Sequence, residues 1–234
     1  MATQKKNGFW KRIRRIVIYL WLVNIGYILL TKFLFPPITT VMIGSLLAGH
    51  GLHRDYVTNN YIGKNAKLAV LSAEDQLFAE HNGFDVKAIK KALEYNNNPK
   101  HKKIKGASTI SQQTAKNVFL WNGRNWIRKG LEVYHTFLIE IIWGKKRILE
   151  TYLNVAEMGE GIFGIEAAAQ HYYKKSANQL TRTEAAWIAT ILPNPILYSL
   201  KNPTPAMHRK QHWIVRQMNN LESDPAIAEL VKSP

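Results

Sequence analysis

The sequence predicts an all-α globular domain behind one N-terminal membrane-spanning helix. Three observations predict it: an unbroken apolar run near the start, helical spacing of apolar residues from residue 66 onward, and no convincing alternating strands. The chain has 234 residues, 46% of them hydrophobic, which is enough for a core and too many for a disordered chain. It has no cysteine, which excludes disulfides, thiolate metal sites and cysteine nucleophiles. The net charge of +16 points to an anionic partner: nucleic acid, an anionic membrane or a phosphorylated substrate.

Residues 16–35 read IVIYLWLVNIGYILLTKFLF. Such a run is close to the ~20 residues a helix needs to cross ~30 Å of hydrocarbon. Asn24 is its one strongly polar residue in the middle, and Lys32 lies near the end, where an ammonium can reach outward. The run closes on Phe35-Pro36-Pro37 with no small-x-small cleavage site, so it reads as an uncleaved anchor rather than a signal peptide. Lys11, Arg12, Arg14 and Arg15 precede it, and the positive-inside rule keeps such a cluster cytoplasmic. Residues 1–15 are then a cytoplasmic basic tail, with the globular part outside the plasma (inner) membrane, in the periplasm. That topology argues against a nucleic-acid partner.

Residues 36–65 are expected to be an irregular membrane-proximal linker, with the apolar segment 41–52 a candidate for the membrane surface. Residues 66–234 form the globular domain. Its helices are expected at 66–81, 86–95, 109–119, 125–142, 145–157, 162–173, 183–192 and 205–221. Thr109-x-x-Gln112 has the spacing of a capping box, Thr181 or Thr183 caps the seventh helix, and Pro193 stops it. The segment 95–106, YNNNPKHKKIKG, breaks the pattern and reads as a solvated cationic loop, either an ordinary one or a functional gate.

Glu74 falls with Leu71, Phe78 and His81 on a helical stripe, if that helix runs unbroken. A carboxylate there is partly desolvated, which moves it toward the range of a general base or acid; an exposed helix-rim acid is the plain alternative. Glu132 follows Arg128 and Lys129 by four and three residues, so a local ion pair explains it equally well. Spacing alone does not choose a second acid among Glu80, Glu132, Glu140, Glu150, Glu157 and Glu166. The stretch from Gly106 to Asn117, GASTISQQTAKN, packs small and polar residues at a helix start, where free amides favour anions. Lys116, Arg124, Arg128 and Lys129 follow closely, as a solvated basic face or a phosphate clamp. Among the eight histidines only His50/His53 and His208/His212 are closely spaced; the latter, an i,i+4 pair, lacks a nearby carboxylate and reads as a surface pair, so no protein-ligated metal is claimed.

EDQLFAEHNGFD (residues 74–85), GASTISQQTAKN (106–117), RKGLE (128–132), KKRILETYLN (145–154) and EAAWIATILPNP (184–195) resemble, in this order, the motifs of the peptidoglycan glycosyltransferases. The resemblance covers nearly everything from residue 66 to 195. With no transpeptidase segment following, a monofunctional biosynthetic transglycosylase of the Gram-negative type is expected. The resemblance implies a lysozyme-like fold and polymerisation of lipid II onto a lipid-linked glycan chain with release of undecaprenyl diphosphate. It implies Glu74 as general base and Glu132 as a second catalytic glutamate at the donor side. It further implies Lys116, Arg124, Arg128 and Lys129 near the donor pyrophosphate. Asp75, Phe78, His81, Ser108, Thr109, Gln112, Gln113 and Asn117 match motif positions with architectural or substrate-contacting roles. Leu131 stands where some members have Lys, which bears on the number of cationic contacts. A divalent cation, Mg or Mn, is expected only through the substrate pyrophosphate, and other cell-wall synthesis proteins are candidate partners. The rival readings are a lysozyme-like hydrolase or lytic transglycosylase, and a non-catalytic membrane-anchored wall-binding module. The cationic cluster favours the synthase, because hydrolases have no pyrophosphate to neutralise.

Overall fold

The structure is a computed structural model that describes residues 2–101, 104–121, 123 and 125–232. It divides into two compact units, 1–36 and 37–234.

The first unit is one helix, α1 (Ala2–Phe33). Its segment Gly8–Phe33 is long and apolar enough to cross a membrane, and only 11% of the apolar window is buried. Val17, Leu20, Trp21 and Val23 stand exposed along it. Helicity runs back through the basic cluster, because lysine and arginine are good helix formers. The hydrocarbon limit is therefore set by polarity and not by the helix end. At the other end the helix stops two residues earlier than expected, ahead of Pro36-Pro37.

The second unit is helical apart from one two-residue strand pair. Its elements in order are α2 (Thr40–Leu47), β1 (His53–Arg54), α3 (Lys64–Glu74), α4 (Val86–Asn96), α5 (Ile110–Phe119), α6 (Trp126–Ile142), α7 (Lys145–Val155), β2 (Ile162–Phe163), α8 (Ile165–Tyr173), α9 (Arg182–Ile191), α10 (Pro205–Glu222) and α11 (Pro225–Val231). Most ends are written in side chains. Thr109 and Thr181 each build a full capping box, with Gln112 and Glu184. Asn125 and Thr204 cap α6 and α10, and Pro205 occupies the first turn of α10. The seventh helix thus begins on Thr181, where the third-turn-position glutamate completes the box, rather than on Thr183.

Two helical groups meet in the domain. In one, α3, α9 and α10 pack on each other; in the other, α5 packs on α6 and α7. The α3 run Ala66, Leu68, Ala69, Val70 and Leu71 is buried on all sides, which makes α3 the core helix.

Residues 37–65, expected as a linker, belong to this compact unit. Met42 and Ile62 are fully buried. Asn154 on α7 accepts from the Val57 amide at 2.8 Å and donates to the Val57 carbonyl at 2.9 Å. Glu150 accepts from the Asn59 amide at 2.7 Å. β1 pairs in parallel with β2, His53 opposite Ile162. Gly161 makes this approach possible: its φ is +69°, and a Cβ there would lie 2.1 Å from the His50 carbonyl oxygen. The irregular sequence of this segment hid a domain element, because its partners lie about a hundred residues away.

Lys67 is fully buried in α3, and its ammonium has no hydrogen-bond partner among the described residues. Burial lowers its pKa from 10.5 to about 8, with Glu150 opposing and Lys146 reinforcing. Lys67→Met is expected to stabilise the domain at pH 7 by about 1–3 kcal/mol, because it removes an unpaired buried charge. Between about pH 8 and 10.5 the unfolded wild-type chain binds more protons at this site than the folded one, so wild-type stability rises with pH. The advantage of the variant should shrink across that window, as read from urea midpoints at pH 7 and pH 10. An equal gain at both would show that the charge is not the cause.

Candidate active site

α3 ends on Glu74 instead of continuing to residue 81. Asp75 leaves helical geometry at φ −161° and ψ 82°, and its carboxylate is buried. It accepts from the Ile110 amide at 2.9 Å, the first helical residue of α5, where an acceptor satisfies an orphan donor. It also accepts from His81 Nε2 at 2.9 and 3.1 Å. His81 Nδ1 accepts from the Gly83 amide at 3.2 Å, which assigns the ring proton to Nε2. Thr109 donates to the Gly83 carbonyl at 2.7 Å. Phe78 is fully buried, 4.4 Å from the Lys145 ammonium and edge-on to His81. Asp75, Phe78, His81, Thr109 and Gln112 therefore join the end of α3 to the start of α5.

Beside this joint lies a cleft of about 680 Å³, lined among others by Glu74, Asp75, Ser108, Thr109, Gln113, Lys210 and Trp213. A second cavity of about 330 Å³ adjoins it, lined by Val41, Lys116, Asn117, Tyr152, Glu157 and Ile196 among others. Gln113 and Pro193 line both. Gln113 donates to Glu74 Oε2 at 2.9 Å and accepts from the Tyr152 hydroxyl at 3.2 Å. Burial, together with the charges of Glu74 and Asp75, pushes the Tyr152 phenol well above its ordinary range, so it stays a neutral donor. One carboxylate oxygen of Glu74 is thereby fixed, and no hydrogen bond among the described residues engages the other.

Lys116 follows Gln113 by one turn on α5. It has no ion-pair partner among the described residues. Burial lowers its pKa; Glu132 and Glu74 oppose this, while Arg128 and Lys129 add to it. Glu132 is buried and held by Lys129 at 2.5 Å and Arg128 at 3.4 Å. It lines neither cavity, and neither do Arg128 and Lys129. The local ion pair is thus what the structure shows for Glu132, and its charge reaches Lys116 only through space. Arg124 lies outside the described residues.

Among the lining residues not singled out from the sequence, or left among many, are Lys105, Tyr152, Glu157, Lys210 and Trp213. Lys210 sits three residues after buried Met207 and four before buried Ile214, so a lysine on the inward stripe of α10 was a readable signal. Burial lowers its pKa and Glu74 opposes the shift. Glu157 is the one member of the ambiguous glutamate set, besides Glu74, that faces the cavities. Burial raises its pKa against a hydrogen bond from the Gly161 amide. Glu140 and Glu150 are instead taken by Lys145 and Arg147, and Glu166 by the Ala177 amide.

The Glu74 carboxylate thus stands at the broken end of a core helix and faces an open cleft in a helical domain. The family model described as transglycosylase matches residues 40–219. The biosynthetic peptidoglycan transglycosylase of Haemophilus influenzae is 48% identical over 224 residues, which is 92% of this chain and 91% of that protein. That of Mannheimia succiniciproducens is 47% identical over 226 residues, 93% and 92% of the two chains. That of Yersinia pseudotuberculosis is 50% identical over 212 residues, 88% and 86%. The chain belongs to the transglycosylase family and is a peptidoglycan glycosyltransferase, an enzyme that polymerises glycan strands.

Proposed function

We propose that the chain polymerises lipid II, with Glu74 as general base and Lys116 as the principal described cation at the donor pyrophosphate. The observation that carries this reading is the adjoining pair of cavities, one with Glu74 and one with Lys116, bridged by Gln113. The acceptor sugar offers its 4-hydroxyl to the Glu74 oxygen that Gln113 leaves unused. Proton transfer to that oxygen makes the hydroxyl a competent nucleophile, an effect of roughly 10²–10⁴-fold. Its oxygen attacks C1 of the donor MurNAc as the bond from C1 to the pyrophosphate oxygen breaks. Configuration inverts from α to β, and the electron pair leaves on undecaprenyl diphosphate. Lys116 stabilises the charge that grows there, more in the transition state than in the ground state. Arg128 and Lys129, fixed by Glu132, raise the local positive potential. Glu132 is therefore assigned a positioning role instead of the catalytic one implied by the resemblance.

Lipid-linked substrates require the site to sit at a bilayer. α1 supplies the tether. Exposed apolar side chains on α2 (Ile43, Leu46, Leu47) and α6 (Trp126, Ile127, Phe137, Ile141) support seating of the domain against lipid. Trp121 is exposed as well, whereas Leu120 between it and Phe119 is a core residue. The loop 95–106 is closed at its base by two Asn96–Lys105 hydrogen bonds, and its end residues Lys105 and Gly106 line the cleft, which supports a gating role. Lys102 and Lys103 lie outside the described residues.

Glu74→Gln should lower glycan synthesis from purified lipid II at least 100-fold while leaving the melting temperature within about two degrees. Equal polymer from both proteins would remove Glu74 as the base. Lys116→Ala should cut turnover far more than stability; matched losses would mark a structural lysine. The described residues bring no three His, Cys, Asp or Glu side chains together as a metal site. We assign any divalent cation to the substrate pyrophosphate, so EDTA should slow polymerisation without shifting the melting temperature of the substrate-free enzyme. A lowered melting temperature would reveal a protein-held ion. The basic cluster before the anchor supports a cytoplasmic N-terminus. Trypsin added to spheroplasts should then degrade the globular domain, and protection of the domain would reverse the orientation.

A further inference from the structure

On the flank of α10 turned away from Lys210 and Trp213 runs a second groove, of about 570 Å³, between α10 and the start of α9. Thr183, Arg209, Gln211, His212, Val215 and Arg216 line it, and no carboxylate does. Three arginines of the domain are matched to acids: Arg128 to Glu132, Arg147 to Glu150, Arg182 to Glu222. Arg209 and Arg216 are not; neither has an ion pair or side-chain hydrogen bond among the described residues. Glu184 on α9 and Glu222 at the end of α10 are already engaged, Glu184 by Lys175 and Glu222 by Lys64 and Arg182. Gln211 is only 3% exposed, yet it lines the groove and makes no hydrogen bond among the described residues. Its amide nitrogen and oxygen are not sealed off from solvent, so they face the open groove as a free donor and acceptor.

We propose that this groove is a binding site for an extended acidic peptide, distinct from the catalytic cleft. Arg209 and Arg216 are seven residues apart, two helical turns, so their guanidiniums are anchored about 10 Å apart along α10. An extended peptide matches that spacing, since side chains three residues apart in a polyproline-like conformation lie about 9 Å apart on the same side. Two carboxylates at that spacing each meet one guanidinium fork, the geometry in which Arg binds a carboxylate through two hydrogen bonds. Gln211 between them supplies both an N–H and a carbonyl to the peptide backbone, and Val215 gives an apolar floor. Because the catalytic residues lie on the other flank of the helix, an occupant here leaves the cleft open.

The test uses the full-length protein in detergent and a fluorescein-labelled peptide with Glu at two positions three residues apart, read by fluorescence anisotropy. The Glu peptide should bind at least tenfold tighter than its Gln counterpart at low salt, and the preference should weaken at 0.5 M salt. Arg209→Ala/Arg216→Ala should remove the preference. The same variant should polymerise lipid II at the wild-type rate, which separates this site from the catalytic reading. Gln211→Leu, which keeps the charges, should weaken the Glu and Gln peptides alike. Equal binding of the two peptides to the wild type would overturn the proposal. So would unchanged binding in the double variant, or displacement of the peptide by millimolar inorganic phosphate at constant ionic strength, which would show a single-phosphate site.

Discussion

The buried carboxylate of Asp75 is the constraint on which the active-site region depends. It breaks α3 after Glu74 and accepts the first amide of α5 and the proton of His81. Those bonds draw together the two helical groups, one built on α3 and the other on α5. Without that joint Glu74 would be one more side chain along a helix surface. With it, Glu74 projects from a helix terminus into a cleft, opposite Gln113 on the neighbouring helix. An ionised hydrogen-bonded group at such a place is expensive to leave unpaired, and this is why the surrounding partners are so fully specified.

The electrostatic layout follows from the same joint. α5 carries Gln113 toward Glu74 and, one turn later, Lys116 into the adjoining cavity. α6 brings Glu132 with its two cations close enough to act on Lys116, while none of the three lines either cavity. α10 adds Lys210 from the other side, its stem packed on the inward stripe of the helix. The site is therefore a basic pocket around one partly engaged carboxylate. That arrangement suits a reaction in which a hydroxyl proton is taken up and a diphosphate leaves.

Helix content, helix order and most helix starts were legible in the sequence, because capping residues and apolar spacing act over a few residues. Thr109 with Gln112 and Thr181 with Glu184 are local bonds between side chain and backbone. Asp224 and Pro225 carried the same kind of signal for α11, and it went unread because seven residues make a short pattern. The break at Glu74 was not legible. Leu71, Phe78 and His81 keep helical spacing across it, yet Asp75 finds better partners in His81 and Ile110 than a continued helix offers. Glu150 and Asn154 stood in a recognisable motif, but only the folded chain shows that they clamp Val57 and Asn59 of the supposed linker.

By itself the sequence determined the helical class, the long apolar N-terminal helix, the basic character and the family, because composition, periodicity and ordered motifs are properties of the chain alone. Tertiary structure alone decided which glutamates face open space. Glu74, Glu132, Glu140, Glu150 and Glu157 are alike in sequence, and a carboxylate's availability depends on whether a cation or amide of the folded chain already occupies it. Lysine and arginine next door claim Glu132, Lys145 claims Glu140 and Arg147 claims Glu150, whereas Glu74 keeps one oxygen turned to the cleft.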